Sequence, residues 1–177
     1  MVNPIYIIAI LLGTAFLLGL FKGKFTRPGM VLAGAALVVP LFISASWLVH
    51  LLPGDASSIQ VFTAGSRPPF SINLMLGLEE SVFMTAINLL GVLGFIYLVR
   101  DFATQGLKAV VLFLVAVMAL NVLIMTRDVF NMFVFMEIVS IAIAGLIYLK
   151  RGEDSASAGF KYIIAVGVIS MLLLIGI

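Results

Sequence analysis

Six separate runs of about 20 apolar residues narrow the fold of this chain more than any other feature, because a helix of that length crosses a hydrocarbon core of roughly 30 Å. The runs are Ile5 to Phe21, Met30 to Leu51, Val82 to Val99, Leu107 to Met125, Val129 to Leu149 and Ala158 to Ile177. They predict an all-α integral membrane protein, with one membrane domain over residues 1–177 built as a bundle of about six transmembrane helices. Composition names the same solvent: 63% of residues are hydrophobic, 10% are charged, and the mean hydropathy is +1.29. A balance so far from that of a water-soluble domain places the chain in a membrane, expected here as a multi-pass protein of the cell membrane. The formal charge of +2 is too small to suggest nucleic-acid binding.

Charge is more informative by position than by sum. Lys22, Lys24 and Arg27 follow the first run, Arg100 and Lys108 follow the third, and Lys150 and Arg151 follow the fifth. The alternate connections carry only Arg67 and Arg127, with Asp55 and Asp128 near them. Short loops rich in Lys and Arg stay in the cytoplasm, so both termini are expected outside, and an even number of spans, which puts them on one side, agrees. The first run lacks a basic stretch before it and a small-residue cleavage pattern within it, so it reads as a retained span.

The one long connection, residues 52–81, is expected outside. It carries Pro53, Gly54, Gly65, Pro68 and Pro69 among Ser and Thr, which marks extended or turn-rich chain. Gln60 to Thr63 is a β-prone stretch that predicts a small hairpin on the outer face. Glu79 and Glu80 stand at the start of the third span, where negative charge favours a helix N-terminus; a role in ion access is the alternative.

Glu137 is the one carboxylate in the interior of any apolar run. An uncompensated charge at that depth costs on the order of 3 kcal/mol or more, so an ionisable residue there is a functional-site candidate. The alternative is a packing role in which the carboxyl hydrogen-bonds a neighbouring helix. Ser140, three residues on, shares its helical face. Asn88, Asn121 and Asn131 are further candidates for interhelical hydrogen bonds, with packing the favoured role for Asn88 and Asn121. Lys161 lies about one turn inside the last span, where its ammonium either snorkels to the headgroups or faces the interior as an ion site. Gly13, Gly19, Gly91 and Gly94 read as close-packing positions between helices.

Other chemistries lack their residues. There is no cysteine for a disulfide, a thiolate metal site or an iron–sulfur cluster, and His50 is the single histidine. No phosphate-cradling glycine loop is present. The chain is therefore expected to hold no cofactor and no catalytic site of its own, with any redox centre in partner subunits.

Met125 to Tyr148, MTRDVFNMFVFMEIVSIAIAGLIY, resembles the region of proton-pumping antiporter-like subunits in which a polar turn with Asp leads into a Phe-rich helix bearing one central Glu. Gly159 to Tyr162, GFKY, resembles the start of the next helix in that family. Gly65 to Leu74, GSRPPFSINL, resembles the Pro-Phe-Gly-Ile segment before the family's third helix, with Ser71 in place of Gly. The superfamily includes large subunits of Mrp-type sodium/proton antiporters, antiporter-like subunits of respiratory complex I, and relatives in membrane-bound hydrogenase and sulfane-sulfur-reductase complexes. The resemblance implies a proton-exchanging role for the fifth-helix glutamate, matched by Glu137, paired in the family with a lysine on a broken seventh helix. Family members usually have about fourteen helices with two inverted five-helix repeats; this sequence resembles the first six. A short or split subunit, a spacer paralogue and a part of a longer protein all fit that length.

These readings give two expected functions. In the first, an antiporter-like subunit of a multi-subunit complex contributes to proton or sodium translocation through Glu137, with Lys161 as a neighbouring cation and Asn131 and Ser140 as relays. In the second, a non-conducting subunit anchors or spaces redox-driven partners. Expected partners are the bilayer and other membrane subunits, one of which supplies the missing antiporter half. The topology has a direct test in this cysteine-free chain. Single cysteines at Ser57 or Arg67 should react with an impermeant maleimide from outside, and those at Lys22, Lys108 or Lys150 only from the cytoplasm. Labelling of Ser57 from the cytoplasm alone would break the six-span reading.

Overall fold

The computed structural model describes residues 2–21, 26–53, 58–62, 73–150, 152 and 154–176. Its elements run α1 (Ile5–Leu20), α2 (Thr26–Leu51), β1 (Ile59–Phe62), β2 (Asn73–Leu76), α3 (Leu78–Gln105), α4 (Leu107–Met125), α5 (Val129–Leu149) and α6 (Ser155–Gly176). Lys22, Lys24, Asp55, Ser57, Arg67, Arg151 and the Gly65 to Ser71 segment lie outside the described residues.

All six expected helices are present. Five are long and apolar enough to cross a membrane, whereas α1, at 16 residues, is shorter. At about 1.5 Å per residue α1 covers roughly 24 Å, somewhat less than the hydrocarbon thickness. The third helix extends beyond the apolar run at both ends. It starts after Gly77, where the Glu80 carboxylate accepts the Gly77 N–H at 2.8 Å, and stops at Gly106, whose φ of 86° is open to glycine at little cost. Apolar length therefore marks the part of α3 inside lipid, and the caps mark its ends.

α4 is the central pillar. It packs against α1, α2, α3 and α5 and touches β2, and eleven of its residues are buried, compared with three in α5 and two in α6. α6 packs on α5 and leaves Phe160, Ile164, Val168 and Leu172 exposed at its surface. Small residues let the outer helices approach: a methyl on Gly145 would come 2.7 Å from Leu112, and one on Gly159 3.2 Å from the Ala144 carbonyl oxygen. Gly91 and Gly94 likewise face Val117 and Phe113 of α4. Among the described residues nothing lies within 4 Å of a methyl placed on Gly13 or Gly19.

Three buried polar side chains join α2, α3 and α4. Asn88 donates to the Asn121 carbonyl oxygen at 2.9 Å, Asn121 returns the bond at 3.1 Å, and Asn88 also reaches the Ser44 hydroxyl at 3.4 Å. Asn121 donates further to the Val117 carbonyl at 2.8 Å. Both amides are essentially inaccessible, and mutual pairing removes the penalty that each would carry alone. The packing role expected for Asn88 and Asn121 is the one they have.

The expected hairpin forms from β1 and β2, antiparallel with Ile59 opposite Leu76 and Phe62 opposite Asn73. Leu74 and Leu76 alternate inward and are buried, the period-2 pattern of a strand with one face on a core. Leu74 bridges Thr126, and the Arg127 N–H donates to the Asn73 carbonyl at 3.0 Å, so the hairpin rests on the turn between α4 and α5.

The amide pair gives a stability prediction. Asn88→Ala and Asn121→Ala should each destabilise the folded chain by about 1 kcal/mol or more, since either leaves the other amide short of a partner. The double variant should cost clearly less than the sum, as read from unfolding in detergent by a double-mutant cycle.

Candidate functional site

α5 begins where Asp128, in extended conformation, caps it: its carboxylate accepts the N–H of Phe130 at 2.9 Å and of Asn131 at 3.4 Å. The Asn131 side chain donates to the Thr126 hydroxyl at 2.9 Å, closing the same turn. From there the helix runs unbroken to Leu149. Glu137 stands eight residues below Val129, about 12 Å along the axis, which puts it near the middle of the span.

Glu137 is half-buried, and its Oε1 atom is enclosed without a hydrogen-bond partner among the described residues. Buried polar atoms are nearly always paired, since an unmet acceptor costs free energy. The amides of Asn88 and Asn121 meet this rule; Glu137 does not. Chemically, Oε1 is an acceptor that can take a proton, a water or a donor from elsewhere. Asn73 Oδ1 is the other buried side-chain atom without a partner among the described residues, and it lies on the hairpin.

The other residues singled out from sequence are placed apart from that oxygen. Ser140 donates its hydroxyl to the Met136 carbonyl at 2.8 Å, within its own helix. Asn131 is buried at the capping turn. Lys161 is exposed on α6. Among the described residues the one ion pair joins Arg127 and Glu80, and no cluster of three or more His, Asp or Glu residues could hold a metal ion.

That ion pair was not read from the sequence. Glu80 is 8% exposed, with Oε2 on the Gly77 N–H and Oε1 on the Arg127 guanidinium. The capping role expected for Glu80 is therefore present, and a second bond to the α4–α5 turn comes with it. Both residues flank spans at the end away from the Lys-rich loops, a hint in the sequence, but 47 positions separate them. Ser44, the third member of the amide cluster, gave no more signal than a serine within an apolar run.

Known proteins match this arrangement. The family model described as NADH:quinone oxidoreductase/Mrp antiporter, TM, matches residues 126–177, which include α5 and α6. A probable K(+)/H(+) antiporter component from Rhizobium meliloti is 30% identical over 148 residues, 81% of this chain and 28% of that protein. The uncharacterized protein MJ1309 of Methanocaldococcus jannaschii is 40% identical over 68 residues, 38% of this chain and 14% of that protein. Among solved structures, a chain of the membrane-bound sulfane sulfur reductase (MBS), an archaeal respiratory membrane complex, superposes with a TM-score of 0.87 at 27% identity. The match covers 98% of this chain and 36% of that one. A chain of the Mrp complex from Dietzia sp. DQ12-45-1b shares the fold, with a TM-score of 0.81 at 20% identity over 99% of this chain and 34% of that one. This chain thus spans between 14% and 36% of the length of these relatives.

The geometry separates Glu137 from its neighbours in a measurable way. Ser140→Ala removes a hydroxyl already spent on its own helix, and Lys161→Ala removes an exposed ammonium. Each should change the stability of the folded chain by less than about 1 kcal/mol, as read from unfolding in detergent.

Proposed function

We propose, from the premise that this chain is an antiporter-like membrane subunit of the superfamily that includes Mrp antiporters and complex I-related membrane complexes, that Glu137 is the proton-exchanging carboxylate of an ion path. The observation that carries the reading is the enclosed Oε1 at the middle of α5, which has no hydrogen-bond partner among the described residues. In a bundle whose deeply buried amides, Asn88 and Asn121, are paired, an acceptor left open at bilayer depth is a functional feature by default. A proton delivered to Glu137 neutralises it, and a donor from outside the described residues would complete its bonding when it is charged.

The site so proposed needs more than this chain provides. Lys161 is exposed, and Asn131 and Ser140 are bonded to α5 and its capping turn, so their roles here are secondary. The relatives are longer, and their additional helices, whether in the same polypeptide or in another subunit, are where we place the missing cation and the rest of the path. The ends of α3, α4 and α5 that carry or adjoin Arg100, Lys108 and Lys150 then face the cytoplasm and the hairpin faces outside. The driving reaction would belong to partner subunits, since the sequence has no cysteine to hold an iron–sulfur cluster.

The second reading, a non-conducting anchor, is favoured by one observation: among the described residues no cation is paired with Glu137. The two readings part at Glu137→Gln, which keeps the shape and the hydrogen-bonding oxygen but cannot exchange a proton. In an assembled complex it should lower proton or sodium uptake into sealed vesicles by about tenfold or more. Full pumping by an assembled Glu137→Gln complex would leave only the anchor.

A further inference from the structure

α5 packs on α4 and on α6, and its closest approaches, Gly145 to Leu112 and Ala144 to Gly159, lie beyond Glu137 towards Leu149. Its buried residues are Asn131 near the start and Ala142 and Ala144 beyond the carboxylate, and every residue from Met132 to Ile141 is half-buried or exposed. The half of α5 before Glu137 therefore needs a fixed point of its own, since a shift of one residue moves a side chain by about 1.5 Å along the axis and turns it by about 100°. Glu137 would then leave the enclosed setting in which Oε1 is observed.

The hairpin end of α5 is instead fastened by polar contacts. Asp128 and the Asn131–Thr126 bond shape the turn but join only residues within it. Beside the bridge of Leu74 with Thr126 and the Thr126 N–H bond back to Val122 of α4, Arg127 supplies two further links among the described residues. Its N–H donates to the Asn73 carbonyl of β2, and its guanidinium bonds the carboxylate of Glu80 at the start of α3. Glu80 is itself held, since its second oxygen accepts the Gly77 N–H, and a methyl added at Gly77 would meet that oxygen at 2.8 Å. The acid is buried and the guanidinium is partly exposed, so the pair lies at the edge of the bundle, where a bonded ion pair keeps a fixed geometry at a tolerable desolvation cost.

The geometry points to Glu80 and Arg127 as positioning residues that set the axial register of α5 and hence the placement of Glu137. The inference rests on the reading of Glu137 as the exchanging carboxylate for its functional weight, and on the hydrogen bonds alone for its structural content. Neither residue touches an ion; both act through the helix they fasten. The α4–α5 turn thereby makes one rigid unit with the hairpin and the start of α3, and a displacement of the hairpin would be passed to the depth of Glu137.

The test uses the assembled complex in vesicles and a readout other than transport. A hydrophobic carbodiimide adds to protonated carboxyls in apolar surroundings, and its rate at Glu137 can be followed by peptide mass measurement. Arg127→Gln should change that rate severalfold and reduce ion uptake, while Arg127→Lys, which keeps the charge and a donor, should restore both towards wild type. Glu80→Gln, which retains an acceptor for the Gly77 N–H, should change the rate in the same direction as Arg127→Gln. Asn121→Ala weakens the bundle at another place and should leave the rate at Glu137 unchanged. An unaltered rate in a folded Arg127→Gln complex overturns the inference, and so does an equal change in Asn121→Ala. Failure of both Arg127→Gln and Glu80→Gln to assemble would make the pair structural and also overturn it, as would a Glu137 unlabelled in every variant. Full pumping by Glu137→Gln alongside a severalfold labelling change in Arg127→Gln would sink the ion-path reading while leaving the positioning role intact.

Discussion

In hydrocarbon, an unpaired backbone N–H or carbonyl costs several kcal/mol, and this penalty organises the protein. Six helices satisfy their backbones internally, which leaves association between them to packing, small residues and a few polar side chains. α4 gains most from this arrangement, with neighbours on nearly every side. Non-helical backbone occurs outside the apolar runs, and where it is described it is fastened: β2 pairs with β1 and bridges Thr126, and Arg127 N–H bonds Asn73.

The polar side chains inside the bundle fall into two groups for the same reason. Asn88, Asn121 and Ser44 exchange hydrogen bonds across three helices and behave as a satisfied joint. Glu137 has an enclosed oxygen with no such partner among the described residues. In a uniformly apolar environment, that difference in bonding sets Glu137 apart from the side chains that hold the helices together. The helices differ in step with it: α4, with the joint, is the most buried, and α5, with the carboxylate, is among the least.

The turn between α4 and α5 links these two regimes. It leaves the packed pillar, takes its shape from Asp128, Thr126 and Asn131, and is pinned to the hairpin and to α3 through Arg127. A helix whose closest packing lies towards one end is held accurately when its other end is anchored too, because its internal hydrogen bonds make it stiff along its axis. The membrane-peripheral hairpin is thus mechanically joined to the middle of the span.

The number of helices, the limits of α4 and α5, the β tendency of Gln60 to Thr63, described as strand as far as Phe62, and the isolation of Glu137 as the one carboxylate inside an apolar run were all legible in the chain. Each depends on solvent transfer or on bonds between residues a few positions apart, and these are properties of consecutive residues. The Asn88–Asn121 joint, 33 residues apart, and the Glu80–Arg127 pair, 47 apart, were settled only by tertiary structure. So were the pairing of β1 with Asn73–Leu76, the exposure of Lys161, and the attachment of Ser140 to its own helix. Apolar periodicity places a helix in the membrane but leaves its rotation and its neighbours undetermined. Those follow from how small residues and polar partners on separate helices fit together, which no single stretch of sequence contains.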